Sequence, residues 1–358
     1  MNAGSSSLKL RILDGADRLT AGADLPAPRG EADADTLRAW VRANGPVDAV
    51  GHRVVHGGTV YTGPVAIDRE VREQLSDLAD LAPLHQPKSL AGIDAVTAVL
   101  PSTPAVACFD TAFHAGLPAA AATYAIPREW RERWGLRRFG FHGLSHAYAA
   151  RRAAEMANEV SANFRVVTCH LGSGASLAAV VDGRSVDTTM GFTPLEGLVM
   201  GTRSGTVDPG LVLWLEEHAG MLPAELASAL ELESGLLALA GTADMQQVIL
   251  RAEAGEPDAA LALDVYLHRL CGAVAAMTAA AGGLGVLVLT GGVGENAPEI
   301  RRRAARGLSF LGVEIDPDRN LAGDPDRDIS GAQAGVQTLV VAAREDLEIA
   351  AEVRRVLG

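Results

Sequence analysis

Histidine and arginine side chains that could act on a phosphate group are concentrated in short polar islands within otherwise apolar sequence. Seven of the nine histidines fall in five such islands, which are GHRVVHGG (51–58), APLHQP (82–87), FDTAFH (109–114), RRFGFHGLSH (137–146) and CHLGSG (169–174). A sixth island, MGTRSGTVDPG (200–210), carries Arg203. A seventh, LTGGVGEN (289–296), is expected to follow a strand and precede a helix, with Asn296 as N-cap and Pro298 in the first turn. The islands therefore hold the candidate functional residues.

The combination of residue types indicates phosphoryl transfer. This reaction needs positioning and positive charge around the transferred group rather than covalent help from the protein. Arg53 and Arg203, each in a glycine-rich island, offer planar sets of donors to phosphate oxygens. His142 could add a donor, and Asp110 could hold Mg²⁺ or an attacking hydroxyl. The sequence contains neither the P-loop signature nor the glycine-rich loop of protein kinases.

Each island taken alone also has a structural interpretation. A buried histidine is more often a hydrogen-bonded structural residue than a catalyst. His142 and His146 have the spacing of zinc ligands, but the glutamate of a zinc-protease helix is absent. The glycine-rich segment 291–296 is also compatible with a plain turn. Several arginines are predicted to be solvated helix-face charges, namely Arg137, Arg138 and the run 301–303.

Two segments 168 residues apart resemble each other, Asn2–Gly15 and His170–Gly183. Each passes through a turn of small residues into an apolar strand that ends at Asp-Gly, which predicts two β-hairpins whose turns could cradle a phosphate. The match indicates an internal duplication, and a chance match is the alternative. Strands are predicted at 166–170, 286–290 and 338–341, helices at 147–160, 259–281 and 346–357, and a loop at 316–331. This alternation predicts an α/β architecture with two related halves that meet at a cleft.

Size and composition restrict the class of protein. The 358 residues are enough for about two domains, and 48% hydrophobic with 21% charged residues is ordinary for a globular enzyme. A net charge of −13 argues against a broad nucleic-acid surface. The apolar stretches are interrupted by Ala and Gly, so we expect neither a membrane span nor a secretory leader. Cys108, Cys169 and Cys271 are expected to be reduced, which favours a cytoplasmic location.

The islands together closely resemble the acetate and propionate kinases of the sugar-kinase/actin/Hsp70 superfamily. The matching segments are NAGSSSLK (2–9), GHRVVHGG (51–58), APLHQP (82–87), FDTAFH (109–114), RRFGFHGLSH (137–146), CHLGSGASL (169–177), DTTMGFTPLEGLVMGTRSGTVDPG (187–210) and LTGGVGEN (289–296). They occur in the family's order and span nearly the whole chain, and the segment 187–210 is the most specific.

The resemblance implies an α/β fold with two related ribonuclease-H-like domains of the sugar-kinase/actin/Hsp70 type and a cleft between them. The N-terminal domain would comprise 1–114 plus 348–358, and 115–347 would form the nucleotide-binding and dimerisation domain. The implied activity is reversible in-line transfer of the γ-phosphoryl group of ATP to acetate, which gives acetyl phosphate and ADP. A cytoplasmic homodimer without a nucleic-acid or membrane partner is expected.

The resemblance also implies the site residues. The catalytic residues would be Asp110, Arg53, Arg203 and His142. Arg53, Val55, Leu84 and Pro194 would bind acetate. The metal, Mg²⁺ or Mn²⁺, would involve Asn2 and Asp346. The nucleotide-binding residues would be Asn2, Lys9, His170, Gly172, Ser173, Gly174, Asp244, Met245, Gln246, Gly291, Gly292, Val293, Gly294, Glu295 and Asn296.

Four positions depart from the family pattern. Only Met1 precedes Asn2 where the family has an apolar strand, so we expect the first hairpin to be poorly anchored. Gln246 replaces an arginine that packs on adenosine, which leaves the choice among ATP, GTP and pyrophosphate open. Asp346 replaces a glutamate associated with Mg²⁺, and Ser173 replaces an asparagine. Two alternatives remain: a propionate or butyrate kinase of the same family, and a catalytically silent nucleotide-binding homologue.

Overall fold

A computed structural model describes residues 1–3, 7–26, 33–82, 86–157 and 163–358 of the chain. The strands are β1 (Asn2–Ala3), β2 (Ser7–Leu13), β3 (Leu19–Pro26), β4 (Val50–Val54), β5 (Val65–Ala66), β6 (Ala105–Phe109), β7 (Arg165–Leu171), β8 (Ala175–Val181), β9 (Arg184–Thr188), β10 (Val286–Thr290), β11 (Arg327–Asp328) and β12 (Gln337–Val340). The helices are α1 (Ala34–Asn44), α2 (Arg69–Asp77), α3 (Gln86–Val99), α4 (Ala119–Ala122), α5 (Arg128–Trp134), α6 (Gly143–Ala157), α7 (Pro209–Ala219), α8 (Pro223–Leu232), α9 (Gly235–Ala240), α10 (Met245–Glu253), α11 (Pro257–Ala280), α12 (Gly291–Asn296), α13 (Pro298–Gly307), α14 (Pro317–Leu321) and α15 (Glu345–Leu357). The predicted strands and the helices at 259–281 and 346–357 are confirmed to within a few residues, as is the predicted helix 147–160 as far as Ala157, because residues 158–160 lie outside the described residues. The expected loop at 316–331 contains α14 and β11.

The chain packs into two compact units. The first consists of Met1–Ala115, Phe141–Tyr148 and Arg344–Gly358, and the second of Gly116–Gly140 and Ala149–Ala343. The domain boundaries that the sequence predicts stay a prediction.

The first unit contains two three-stranded sheets. One is the antiparallel meander β1-β2-β3, and the other has the order β4-β6-β5 with β4 and β6 parallel. The expectation of a poorly anchored first hairpin is wrong, because backbone hydrogen bonds join its start to β4. The amine of Met1 donates to the Gly51 carbonyl (2.8 Å), and the Arg53 amide donates to the Met1 carbonyl (3.0 Å). Arg53 is thereby fixed by two neighbouring strands.

The second unit is built on a six-stranded mixed sheet of order β11-β12-β10-β7-β8-β9, in which β12, β10 and β7 are parallel. Strand β10 is buried along its whole length, as expected for a central parallel strand covered on both faces. The carboxyl ends of β7 and β10 lead into the glycine-rich segments 170–174 and 291–296. The sheet therefore brings two of the predicted islands to one edge.

Both predicted hairpins are present. Asp14-Gly15 follows β2, and Asp182-Gly183 joins β8 to β9. Asp182 and Gly183 both have positive φ (50° and 76°), as in the tight turn that fits the twist of a hairpin. Residues 4–6 of the first hairpin lie outside the described residues, and the internal duplication stays a prediction.

Among the described residues, α11 is one helix long and apolar enough to cross a membrane, and α8 followed by 235–253 passes the same test as a bent pair. The buried residues of α11 include Leu263, Tyr266 and Leu270, and the helix packs against α9, α10 and β8. We therefore interpret α11 as a core helix of the second unit.

Helix α15 packs against β4 and β6 in the first unit, and it carries an acidic side chain inward. Glu352 is 8% exposed, and its Oε2 has no hydrogen-bond partner in the described part of the chain. Burial raises the pKa of the Glu352 carboxyl to about 7, although Cys108 and Arg355 oppose the shift. The folded protein therefore keeps a proton there that the unfolded chain releases at lower pH.

This proton makes stability depend on pH. The pKa of Glu352 is near 4.5 in the unfolded chain and near 7 in the folded protein. Its contribution to the free energy of unfolding is therefore fully present below pH 4.5 and is lost as the pH rises through about 7. We expect wild type to lose up to roughly 3 kcal/mol of unfolding free energy across this interval, relative to Glu352→Gln. Urea unfolding at several pH values measures the difference. The exposed Glu70→Gln serves as control, and equal pH slopes for all three proteins would contradict the assignment.

Candidate active site

The first unit gathers four polar residues into one group, the arginine–carboxylate cluster of Asn2, Arg53, Asp110 and Glu345. Arg53 forms a two-point pair with Asp110, with Nε 2.9 Å from Oδ1 and Nη2 2.5 Å from Oδ2. Its Nη1 donates to the Asn2 side chain (3.1 Å), and Glu345 Oε2 lies 3.9 Å from Nε. The Arg53 side chain is 17% exposed and that of Asp110 only 1%. The structure thus brings Asn2, Arg53 and Asp110 together.

Parallel strands explain this arrangement. Arg53 and Cys108 are partners in the β4–β6 ladder, and Asp110 follows the end of β6. The Asp110 amide also donates to the Val54 carbonyl (3.0 Å). Burial would lower the pKa of Arg53, but the carboxylates of Asp110 and Glu345 outweigh it and raise the pKa above its usual value. The guanidinium remains a cation although it is largely buried.

His142 is adjacent to this cluster along the backbone. The amide of Gly143 donates to the Asp110 carbonyl (2.8 Å), and His142 has a positive φ of 56°, which is uncommon for a residue with a side chain. A Cβ at position 143 would lie 2.2 Å from the Asp110 carbonyl oxygen, so only glycine permits this approach. Helix α6 begins at Gly143 and carries His146, which is fully buried. The close contact sets His142 beside Asp110.

Two neighbouring acids at the start of α15 have different partners. Glu345 accepts a hydrogen bond from the Asn2 side chain (2.9 Å), whereas Asp346 forms a two-point pair with Arg344 (2.9 Å for each oxygen). The structure therefore brings Glu345, rather than the predicted Asp346, to Asn2 and Arg53. Sequence reasoning missed Glu345 because adjacent acids at a helix start are indistinguishable until the helix is docked.

The second unit brings its glycine-rich segments into mutual contact. The amide of Gly172 donates to the Gly174 carbonyl (2.9 Å), which closes the turn between β7 and β8. The Gly201 amide donates to the Ser173 carbonyl (3.0 Å), and a Cβ at Gly172 would lie 3.9 Å from the Gly292 nitrogen. A Cβ at Gly201 would also lie 3.4 Å from Cβ of Ala243. The predicted nucleotide segments 170–174 and 291–296 thus lie close together, and Ser173 and Ala243, the residue before Asp244, contact Gly201 in the loop of Arg203.

The loop of Arg203 is held by its neighbours in the second unit. The Nη1 of Arg203 donates to the Pro194 carbonyl (2.6 Å), and the Thr202 hydroxyl donates to the Glu231 carbonyl (2.8 Å). Burial raises the pKa of the Glu231 carboxyl, and the charge of Arg203 opposes that shift. The position of Arg203 therefore depends on the segment that contains Pro194.

The other predicted nucleotide residues differ in exposure. Asp244 caps α10 by accepting from the Gln246 amide (2.9 Å), and Met245 is buried in the core, which leaves its side chain no access to a ligand. Ser173 and Gln246 are exposed, whereas His170 is half-buried. Lys9 is exposed and pairs with Asn2 in the β1–β2 ladder.

In the segment 291–296, the expectation that Asn296 caps the next helix is wrong. Asn296 ends α12 and donates to the Gly292 carbonyl (2.9 Å), and Ala297 is the N-cap of α13. Pro298 does occupy the first turn of α13. Glu295 accepts from the Ala343 amide (2.9 Å). The segment is therefore a helical turn.

Of the arginines predicted to be solvated, Arg301 is buried and Arg138 is half-buried. Arg301 is 2% exposed and donates to the carbonyls of Gly294 and Glu295 (2.8 Å each) and to Asn320. Arg138 pairs with Glu196 (2.8 Å). The interpretation failed because a helical charge pattern does not reveal which charges meet backbone carbonyls.

Of the predicted acetate-pocket residues, Val55 is buried in the first unit and Pro194 is buried in the second. Leu84 lies outside the described residues. The described part of the chain holds no group of three or more His, Cys, Asp or Glu side chains arranged for a metal ion. The zinc interpretation of His142 and His146 therefore gains no support.

Solved structures similar to this chain identify the class. A propionate kinase from Francisella tularensis superposes with a TM-score of 0.91 at 34% identity, covering 99% of this chain and 98% of that one. An acetate kinase from Porphyromonas gingivalis gives 0.89 at 33% identity, covering 100% and 98%. The predicted α/β fold class of the sugar-kinase/actin/Hsp70 type is confirmed, and the fold and site together define a phosphotransferase.

Sequence comparison identifies the family. The profile of the acetokinase family matches residues 32–351. The acetate kinase of Trichormus variabilis is 48% identical over 305 residues, which cover 85% of this chain and 75% of that protein. The acetate kinase of Gloeobacter violaceus is 48% identical over 308 residues, 86% of this chain and 76% of that protein. The chain belongs to the acetokinase family, as the sequence motifs predict.

The buried ion pair yields a stability prediction. Arg53→Met leaves the Asp110 carboxylate buried without its two-point partner, so we expect a loss of about 3–5 kcal/mol in unfolding free energy, most of it restored by the double variant Arg53→Met/Asp110→Leu. The control is Arg11→Met, whose pair with Asp24 is 33% and 50% exposed and should cost about 1 kcal/mol or less. Urea unfolding measures all four proteins, and equal costs for the two arginine variants would refute the prediction.

Proposed function

We propose that the protein is an acetate kinase that transfers the γ-phosphoryl group of ATP reversibly to acetate, giving acetyl phosphate and ADP. The observation that carries the proposal is the two-point pair of Arg53 with the buried Asp110, in a chain of the acetokinase family. The activity named for the relatives at 48% identity supports the same conclusion.

The reaction needs little covalent chemistry from the protein. A carboxylate oxygen of acetate attacks the γ-phosphorus, and the bond to the bridging oxygen of ADP breaks with its electron pair remaining on ADP. A carboxylate is already deprotonated at neutral pH, so neither a general base nor a phosphoenzyme is required. The protein has to bind, orient and neutralise charge.

In the first unit, Arg53 and His142 are proposed to donate to the transferred phosphoryl group. The Asp110 carboxylate fixes the planar guanidinium of Arg53 by two hydrogen bonds, so the donors are ordered before substrate binds. Val55, buried directly after β4, and Leu84 are proposed to contact the methyl group of acetate.

In the second unit, Arg203 is proposed to stabilise charge on the transferred group. Backbone amides of Ser173 and Gly174 and of 291–294 are proposed to bind the nucleotide phosphates. The exposed Gln246 lacks the cationic group that the family places near adenosine. Discrimination between ATP and GTP is therefore expected to be weak.

A divalent metal, Mg²⁺ or Mn²⁺, is proposed as cofactor. The donors in the arginine–carboxylate cluster fit such a hard cation, because Asn2, Asp110 and Glu345 supply only oxygen ligands next to Arg53. These residues would hold the ion, which would supply charge neutralisation on the phosphate oxygens. Asp346, paired with Arg344, is less suited to this role.

A propionate kinase is the second candidate, because a structure of that name superposes at a TM-score of 0.91. One methylene in an apolar pocket changes discrimination by only about 1–3 kcal/mol. The acetate-to-propionate ratio of kcat/KM distinguishes the two.

We propose a homodimer whose interface includes α7. None of the residues of α7 is buried, although its sequence is PGLVLWLEEHA. Leu213 and Trp214 are 58% and 53% exposed, and Leu222 at the start of α8 is 62% exposed. A second copy of this chain is the occupant that the family likeness favours, since an apolar surface of this kind is typical of an interface.

A cytoplasmic location, without nucleic-acid or membrane partners, is proposed as well. Cys108 and Cys169 are buried free thiols, and Cys271 is a half-buried free thiol. The net charge of −13 disfavours anionic polymers and anionic lipid surfaces.

The activity is tested by trapping acyl phosphate with hydroxylamine, using purified protein, Mg²⁺-ATP and acetate. We expect the wild type to be active and Arg203→Ala to lose about a hundredfold or more in kcat, because a donor to the developing charge is removed. Exposed Arg184→Ala is the matched control and should retain full activity. Wild type that binds ATP but phosphorylates neither acetate, propionate nor butyrate would favour the silent nucleotide-binding homologue.

The dimer has its own test. Trp214→Glu places a charge in the exposed apolar face of α7, so we expect a shift from dimer to monomer in light scattering coupled to size exclusion. Trp130→Glu is the control, since Trp130 is similarly exposed (49%) but lies on α5. A dimer that persists in the Trp214 variant, or a monomeric wild type, would contradict the proposed interface.

A further inference from the structure

The segment 189–197 of the second unit governs one hydrogen bond of Arg203. It runs from the end of β9 towards the Arg203 loop without regular secondary structure. Near its centre the Pro194 carbonyl accepts from Arg203 Nη1 (2.6 Å), and the amide of Thr206 donates to the Gly197 carbonyl (3.0 Å) at its end. Whatever fixes this segment therefore also fixes the carbonyl that accepts this hydrogen bond from Arg203.

Arg138 holds both ends of the segment. Its Nη1 donates to the carbonyls of Thr189 (3.2 Å) and Met190 (2.9 Å), and its Nη2 donates to Glu196 Oε1 (2.8 Å). The planar guanidinium spans the chain on either side of Pro194. The Arg138 side chain is only 17% exposed, so its contacts are largely shielded from water.

Tyr124 completes the arrangement. Its hydroxyl donates to Glu196 Oε2 (2.7 Å) and accepts from the Phe192 amide (2.8 Å). The Arg138 guanidinium carbon lies 5.5 Å from the centre of the Tyr124 ring. Burial and the neighbouring Glu196 raise the pKa of the Tyr124 hydroxyl, so it stays a donor at neutral pH. Glu196 is thus held by two donors, one on each oxygen.

The hydrogen bond between Tyr124 and Glu196 occupies the space that a side chain at Gly191 would fill. A Cβ at this position would lie 1.7 Å from Glu196 Oε2 and 2.2 Å from the Tyr124 oxygen. The Phe139 amide donates to the Gly191 carbonyl (3.0 Å), which draws the backbone close. Any side chain at 191 would displace the hydrogen bond between Tyr124 and Glu196.

We propose that Tyr124, Arg138 and Glu196 form a polar clamp that positions Arg203 and Pro194 for phosphoryl transfer. The proposal rests on the proposed kinase function and adds positioning residues to it. The clamp acts through the segment 189–197, so none of its members needs to touch substrate. Misplacement of a reacting group by about 1 Å can cost a hundredfold in rate, which gives such a device a measurable effect.

The first test is Tyr124→Phe, which keeps the ring and removes both hydrogen bonds of the hydroxyl. We expect kcat to fall at least tenfold, while KM for ATP changes less than twofold because the segments 170–174 and 291–296 are held by other contacts. The control is Tyr266→Phe. Tyr266 is buried in the same unit, and among the described residues its hydroxyl has no hydrogen-bond partner. Tyr266→Phe should retain wild-type kcat.

A double-mutant cycle separates positioning from general destabilisation. If Tyr124 acts through Arg203, then Tyr124→Phe should change kcat less than twofold when Arg203 is already Lys. Glu196→Gln, which can keep one hydrogen bond to each partner, should retain more activity than Glu196→Ala. Thermal unfolding of each variant shows whether a loss of kcat follows a loss of fold.

The outcomes are distinct. An inactive wild type overturns the proposed function and this proposal with it. An active wild type with Tyr124→Phe within twofold of it overturns the clamp alone. A tenfold loss that recurs in the Arg203→Lys background also overturns the clamp, because the two residues would then act independently. A loss of kcat confined to the background with Arg203 supports it.

Discussion

The structure of the first unit depends on one buried ion pair. Arg53 and Asp110 lie at the ends of two parallel strands, and the carboxylate is almost fully removed from water. Such a pair is costly to desolvate, and it persists only if each charge is met by a partner of good geometry. The two-point contact, the side-chain oxygen of Asn2 that accepts from Arg53 and the nearby Glu345 provide that geometry. The start of α6 is held at the Asp110 backbone carbonyl, and the start of α15 contacts Asn2 and Arg53 through Glu345.

In the second unit, the guanidinium groups that are shielded from water obtain their hydrogen-bond partners in a different way. Three of its arginines donate to backbone carbonyls: Arg203 to Pro194, Arg138 to Thr189 and Met190, and Arg301 to Gly294 and Glu295. Arg138 also pairs with the Glu196 carboxylate. Carbonyl oxygens satisfy a guanidinium without neutralising its charge. Burial lowers the pKa of Arg301 to about 10. This arginine donates to the Asn320 side chain and to the carbonyls of Gly294 and Glu295, which are uncharged acceptors.

Close backbone approach is the feature that links sequence to site in both units. Gly143 lets the turn of His142 contact Asp110, and Gly191 leaves space for the contact of Tyr124 with Glu196. The family motifs are rich in glycine at such positions. A glycine in a polar island therefore indicates that another backbone segment or side chain packs closely against it, although the sequence does not identify that segment.

The sequence by itself determined several central elements, the family and most of the candidate groups. Hydrophobic periodicity and turn residues depend on neighbours along the chain, so β7, β10, α11 and the two Asp-Gly turns could be predicted without tertiary contacts. The tertiary structure decided which of two adjacent acids meets Arg53, Glu345 rather than Asp346, since one residue of rotation at a helix start reverses the choice. It also decided that Arg301 is buried, that Arg138 pairs with Glu196 and that Met245 belongs to the core. Those outcomes depend on which carbonyls and side chains a distant segment presents, and that information is spread over the whole chain rather than contained in any local pattern.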